Sequence, residues 1–138
     1  MDITTQRPRP DVAVVALTGE LDASNFEQLI ETARRLHDQG CHHFILDLSG
    51  LSYMGSSGLV AIHSAAMLAR GQEPPSPEDG WDAFHQLGHE VSSGTDDGSL
   101  RLVAPSPSVD RVLDRTGMKR LFEVHPDRDS ALGAIHTA

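Results

Sequence analysis

Two adjacent hydroxyls, Ser56 and Ser57, stand between Gly55 and Gly58, directly before an apolar segment that opens with Leu59. Three chemistries suit such a pair. A serine at a helix start accepts a hydrogen bond from an orphan backbone N–H, a capping role worth about 1 kcal/mol. The same serine can accept a phosphoryl group, because the free N–H groups and the helix dipole hold an added charge of about −1.5 to −2. A serine on a strand-to-helix turn can also serve as a hydrolase nucleophile. That third reading fails on register, since a G-x-S-x-G elbow around Ser57 needs glycine where Leu59 stands. No base is fixed beside either hydroxyl, so the chain is read as a binding module and not an enzyme.

The other reactive side chains carry less. Among eight histidines, His42 and His43 adjoin Cys41, and His85 and His89 are four residues apart. The stretch HQLGH lacks the glutamate of a zinc-protease HExxH, and no third ligand is fixed by spacing; these are read as surface histidines, with no metal. There is no G-x-x-x-x-G-K and no G-x-G-x-x-G, so neither nucleotide hydrolysis nor dinucleotide chemistry has a motif, and no cofactor is expected. Cys41, the single cysteine, makes no internal disulfide and reads as a small, semi-buried structural side chain.

The elements that must position the serines follow from periodicity. Residues 12–17 are a valine-rich apolar run between Pro10 and Gly19, too short for a helix and suited to a buried strand. Residues 3–7 pair back on it as an edge strand. Phe26, Leu29, Ile30, Ala33 and Leu36 recur at helical spacing up to Gly40. A second apolar run, 44–48, leads through a polar, glycine-containing loop to a helix from about Ser57 to Arg70, closed by Gly71. The alternation resumes with a strand at 100–104, a helix marked by Val109, Val112 and Leu113 that ends at Gly117, a short strand at 122–125 and a last helix with Ala131, Leu132 and Ile135. Repeated strand-helix units imply an α/β fold with a mostly parallel sheet. The serine pair then lies at the carboxyl ends of the strands, where open α/β folds build their sites, and the 19–22 loop opens on the same edge.

The chain has 138 residues and a hydrophobic share of 38%, enough for one core, and it is expected to be a single domain over 1–138. Residues 72–99, rich in proline, glycine, serine and aspartate, read as an insertion after the second helix, because structureless loops of that length are uncommon in compact domains. Within it Trp81 and Phe84, with Val91, can share one side of a short helix and offer an interface. With 11 basic and 20 acidic residues the net charge is −9, which sets nucleic acid and anionic membranes aside as partners. No apolar run nears the roughly 18 to 20 residues of a membrane span, and the first residues lack signal-peptide order, so a cytoplasmic protein is expected.

The run MGSSGL, preceded by a short strand and LSGLSY, resembles the signature of STAS domains, specifically anti-sigma factor antagonists, which usually read M/I-D-S-S-G-L. The resemblance extends to GELD at 19–22, to RLVAPSPSVDRVLDRTGMKRLFEV at 101–124 and to the final DSALGAI; only 72–99 lacks a counterpart. It implies a four- to five-stranded mixed sheet flanked by about four helices. It also implies binding to an anti-sigma factor that is itself a serine kinase, with a phosphatase to reset the switch, in a monomer or weak dimer. Carried over by position, the phosphoacceptor is Ser56, with Ser57 as fallback. The partner-binding set is Asp22, Gly55, Ser56, Ser57, Gly58 and Leu59.

One position departs from the family pattern: Gly55 stands where an aspartate normally precedes the serine pair. If that carboxylate docks the loop in the kinase, Ser56 is a poor substrate; if it repels the phosphate, the phosphorylated form is more stable here. A glycine can also reach φ > 0 and redirect the loop. The alternative function is a phosphorylation-independent scaffold of the same fold that uses the 72–99 insertion.

Overall fold

The computed structural model describes residues 1–73 and 99–135. Residues 74–98, with Trp81, Phe84, His85 and His89, lie outside the described residues, as do 136–138. The element order is β1 (Asp2–Arg9), β2 (Val12–Leu21), α1 (Phe26–Asp38), β3 (His43–Met54), α2 (Ser56–Ala69), β4 (Leu100–Val103), α3 (Pro107–Thr116), a 3-10 turn (Met118–Arg120), β5 (Val124–His125) and α4 (Arg128–Gly133). The five strands form one sheet in the order β1-β2-β3-β4-β5. β1 runs antiparallel to β2 at the edge, and every other pair is parallel. This is the mixed α/β sheet the alternation implies.

Side-chain alternation divides the sheet into two unequal faces. Ala13, Val15 and Leu17 of β2, Phe44, Leu46 and Leu48 of β3, and Leu100 and Leu102 of β4 point to the main core, where Leu29, Ile30, Ala33 and Leu36 of α1, most of α2, and Val109 and Leu113 of α3 pack over them. The opposite face holds a small cluster of Val12, Val14, Ile45 and Val103 beneath Ala131 and Ile135 of the α4 segment. Asp47 lies on that second face, 2.7 Å from the Arg128 Nε of α4, and also accepts the Ser49 amide at 2.9 Å. Cys41 is fully buried, and burial pushes its thiol up, as befits a structural side chain.

Several boundaries differ from the sequence reading. The expected loop after Leu48 is strand: β3 continues to Met54, and β2 continues to Leu21 beside it. Two register shifts, between Ala16 and Thr18 and between Gly19 and Glu20, break the simple alternation there, so that Leu51 and Met54 return to the main core despite their three-residue spacing. The last strand is shorter than expected, because Leu121 and Phe122 turn into the main core instead of joining the ladder. The edge strand is longer, and Gln6 and Arg9 flank a further irregularity.

Candidate functional site

β3 outruns its neighbour on one side. Its pairing with β4 ends at Asp47 and Val103, whereas its pairing with β2 continues to Leu21 and Met54. The carbonyls of Leu51 and Ser52 therefore need donors from somewhere other than a strand. They find them on α3: the Ser106 hydroxyl donates to Leu51 O at 2.8 Å and the Ser108 hydroxyl to Ser52 O at 2.7 Å. On the other side the Ser52 hydroxyl donates to Gly19 O at 3.0 Å, bridging the register shift. Ser106 holds the N-cap position of α3 yet makes no side-chain cap, since its hydroxyl is spent on β3. Hydroxyls thus brace the strand extension that carries the serine pair.

At the end of that extension Gly55 is the N-cap of α2, and its N–H donates to Leu21 O at 2.9 Å, tying the helix start to the end of β2. Ser56 and Ser57 are the first two helical residues; Ser56 is exposed and Ser57 partly so. No side chain caps α2, and its first turn contains no acidic residue. The dipole and the first-turn N–H groups of this end are answered by no carboxylate of its own.

Gly58 is set by close approach. A Cβ there would meet Met54 Cγ at 2.5 Å and the Leu21 side chain at 3.0 Å, so only a hydrogen lets α2 seat on the ends of β2 and β3. Gly58 and Leu59, expected among the partner-facing residues, are buried, Leu59 within the main core. They hold the helix start in place from beneath. The backbone at Gly55 has φ −86 and ψ −179, extended geometry open to any residue, so the left-handed detour considered from sequence does not occur. Above Gly55 lies Tyr53, which sequence reasoning passed over; it is 51% exposed, and its hydroxyl is 3.3 Å from where a Cβ at position 55 would stand.

Asp22 follows Leu21 as Gly55 follows Met54, and Leu21 and Met54 are register partners, so the two loops emerge side by side. The Asp22 carboxylate accepts both the amide of Ser24, at 2.9 Å, and its hydroxyl, at 2.5 Å. The Ser24 hydroxyl and then the Ser24 amide hold the Asp22 carboxyl below the ordinary range, which makes it a standing negative charge on the rim. Asn25 closes the loop, accepting the Asp22 amide at 2.9 Å and donating to Glu20 O at 2.8 Å. The structure therefore brings Asp22, Gly55, Ser56 and Ser57 to one edge. Trp81 and Phe84 fall outside the described residues, and no group of three or more metal-ligating side chains occurs among the described ones. No described helix is long and apolar enough to cross a membrane.

Solved structures share this architecture. An anti-sigma factor antagonist from Mycobacterium paratuberculosis is 24% identical, with 97% of this chain and 94% of that one covered and a TM-score of 0.64. The anti-sigma factor antagonist SpoIIAA in its unphosphorylated form is 18% identical over 98% of this chain and 100% of its own, with a TM-score of 0.63. The Bacillus cell fate determinant SpoIIAA in the phosphorylated form is 20% identical over 98% and 100%, with a TM-score of 0.56. At these identities the likeness establishes the fold. The STAS domain family model matches residues 4–72, which run from β1 to just past the end of α2 and include the exposed serine at its start, and by that match across half of its length the chain belongs to the STAS domain family.

Proposed function

We propose that this chain is an anti-sigma factor antagonist that binds an anti-sigma factor serine kinase and is switched off by phosphorylation of Ser56. The observation that carries the reading is the exposed Ser56 hydroxyl in the first turn of a helix with neither a side-chain cap nor an acidic residue. The resemblance between LSYMGSSGL and the antagonist signature supports the same position, as does the occurrence of the similarly folded SpoIIAA in unphosphorylated and phosphorylated forms.

The switch needs little movement. Transfer of the γ-phosphoryl of ATP to Ser56 Oγ, which breaks the bond to the β-phosphate and releases ADP while the hydroxyl proton passes to the kinase, adds about −1.5 to −2 of charge at the positive end of α2. The phosphate stays beside the ionised Asp22, so a partner packed on this rim has to strip water from a dianion next to a carboxylate. Association is lost locally while the core is undisturbed. Asp22, Gly55, Ser56 and Ser57 supply the contact, Gly58 and Leu59 seat it, and a phosphatase resets it. The module works without enzymatic activity of its own, in the cytoplasm, as a monomer or weak dimer over a single domain.

The test pairs mapping with binding. Incubation with the serine kinase recovered with the protein from its own cells, plus ATP, should place phosphate on Ser56, or on Ser57 as the fallback, in a mass-spectrometric map. Ser56→Asp should weaken binding to that kinase at least ten-fold while Ser56→Ala preserves it. Equal affinities for the two variants, or a map with both serines unmodified, sink the reading.

A further inference from the structure

Tyr53 is the feature of the rim that the switch as described leaves idle. It is an aromatic residue of a strand end, register partner of Glu20, and 51% exposed. Its ring lies over Gly55: where a Cβ at position 55 would stand, Tyr53 Oη is 3.3 Å away, Cε1 3.6 Å and Cζ 3.7 Å. The backbone of Gly55 would accept any residue, so the missing side chain is a matter of space and chemistry, not of strain. Gly55 is also the N-cap, and the place its side chain would occupy is the place from which a capping group reaches the first-turn N–H groups. A phenol hydroxyl borders that place, 3.3 Å from the Cβ site, and among the described residues it has no hydrogen-bond partner.

The difference matters for an anion. A carboxylate at the N-cap competes with a phosphate for the same N–H groups and repels it; a phenol hydroxyl can donate to it. We propose that Tyr53 is a positioning residue for phosphorylated Ser56, its hydroxyl standing beside the cap space left by Gly55 and donating a hydrogen bond to a phosphate oxygen. This rests on Ser56 being the phosphoacceptor. It gives the Gly55 departure a direction: the phosphorylated form is held more firmly here than it would be beside an aspartate. The charged groups alongside are Glu20 on the neighbouring strand, Asp22 just after it and the N-terminal amine that bears on Asp22, all common to every variant below, and the first turn of α2 adds no acid.

The full chain carrying phosphoserine at position 56, installed by genetic encoding, tests this by ³¹P NMR titration of the phosphate's second ionisation. Tyr53→Phe keeps the ring and removes the donor, and should raise the phosphate's proton affinity by about two- to three-fold. Gly55→Asp, which displaces the phenol and adds a like charge, should raise it further. A Tyr53→Phe titration superimposable on the parent curve overturns the proposal, and so does a Gly55→Asp curve at or below the parent. Tyr53→Leu, which removes ring and donor together, should match Tyr53→Phe; a larger shift than Tyr53→Phe would assign the effect to packing and overturn the hydrogen bond. Because the phosphate is installed without a kinase, an unmodified Ser56 in the kinase assay defeats the switch and leaves this titration standing, and the reverse also holds.

Discussion

Two helices begin at the carboxyl ends of parallel strands, on opposite faces of the sheet, and their first turns are built in contrary ways. At α4 the Asp127 side chain accepts the Ser130 amide at 2.7 Å, and Asp129 adds a second acid to the first turn. The Ser130 amide and hydroxyl hold the Asp127 carboxyl below its ordinary range. At α2 the N-cap is a glycine, no side chain caps the end and no acid follows. Glu27 of α1 and Asp110 of α3 leave α2 as the single described α-helix with an acid-free first turn. A helix end closed by its own chain gains about 1 kcal/mol of stability, and one left open forgoes that while remaining available to an anion from outside. The contrast separates a helix end closed by its own chain from one left open, the end the proposed switch uses.

The sharpest break of that contrast is expected at Gly58. Gly58→Val drives methyl groups into Met54 and Leu21 and should cost about 2–3 kcal/mol or more, read as a lower urea midpoint; near-parent stability would show that α2 is not seated as tightly as the geometry requires. Next comes the ion pair beneath α4. Burial pushes the Asp47 carboxyl up, but the Ser49 amide and hydroxyl and the Arg128 guanidinium outweigh it and hold it below the usual carboxylate range. With Arg128 partly exposed, Arg128→Ala should cost about 1–2 kcal/mol. A group depressed in the folded state stabilises above its unfolded value, about 3.9, and that contribution is lost as pH falls through the lower folded value. Urea midpoints should therefore drop below about pH 4, and Asp47→Asn should flatten part of that fall; an unchanged slope would remove Asp47 from the account.

The two caps supply the smaller effects, which bear most directly on the comparison. Asp127→Ala removes a bonded cap and should cost about 1 kcal/mol in thermal or urea unfolding. Gly55→Asp, supplying α2 with the acid it lacks, should stabilise by about 0.3–1 kcal/mol, since the backbone is already extended there and only the Tyr53 ring must give way. Loss of stability on Gly55→Asp would mean that α2's end is answered by something other than its own residues.

Much of this arrangement was legible in the residues. The strand-helix alternation, the edge strand, the helix starting at the serine pair and the shared edge with Asp22 all follow from local apolar spacing and turn chemistry, which act over a few residues. What was misread was read locally too. Residues 49–54 contain serines and a glycine and look like a loop, yet they are strand, because Leu51 and Met54 find the core through register shifts that no period-2 pattern predicts. Ser106, on which the sequence reading was silent, stands at the N-cap of α3 and spends its hydroxyl as a brace for β3. Tyr53 carries no signal of its own, since its role depends on the empty space above Gly55.

The amino-acid order by itself determined which segments could be strands or helices, that a hydroxyl pair begins the helix after β3, and that this chain lacks a carboxylate before it. Only the tertiary structure decided that β3 outruns β4, that serines at the start of α3 take over the unmade ladder, that Gly58 is buried as a seat for α2, and that a phenol lies beside the open cap. The physical reason is range: propensity and capping are settled within a turn or two of chain, whereas register, close approach and the filling of space depend on what a distant segment brings alongside.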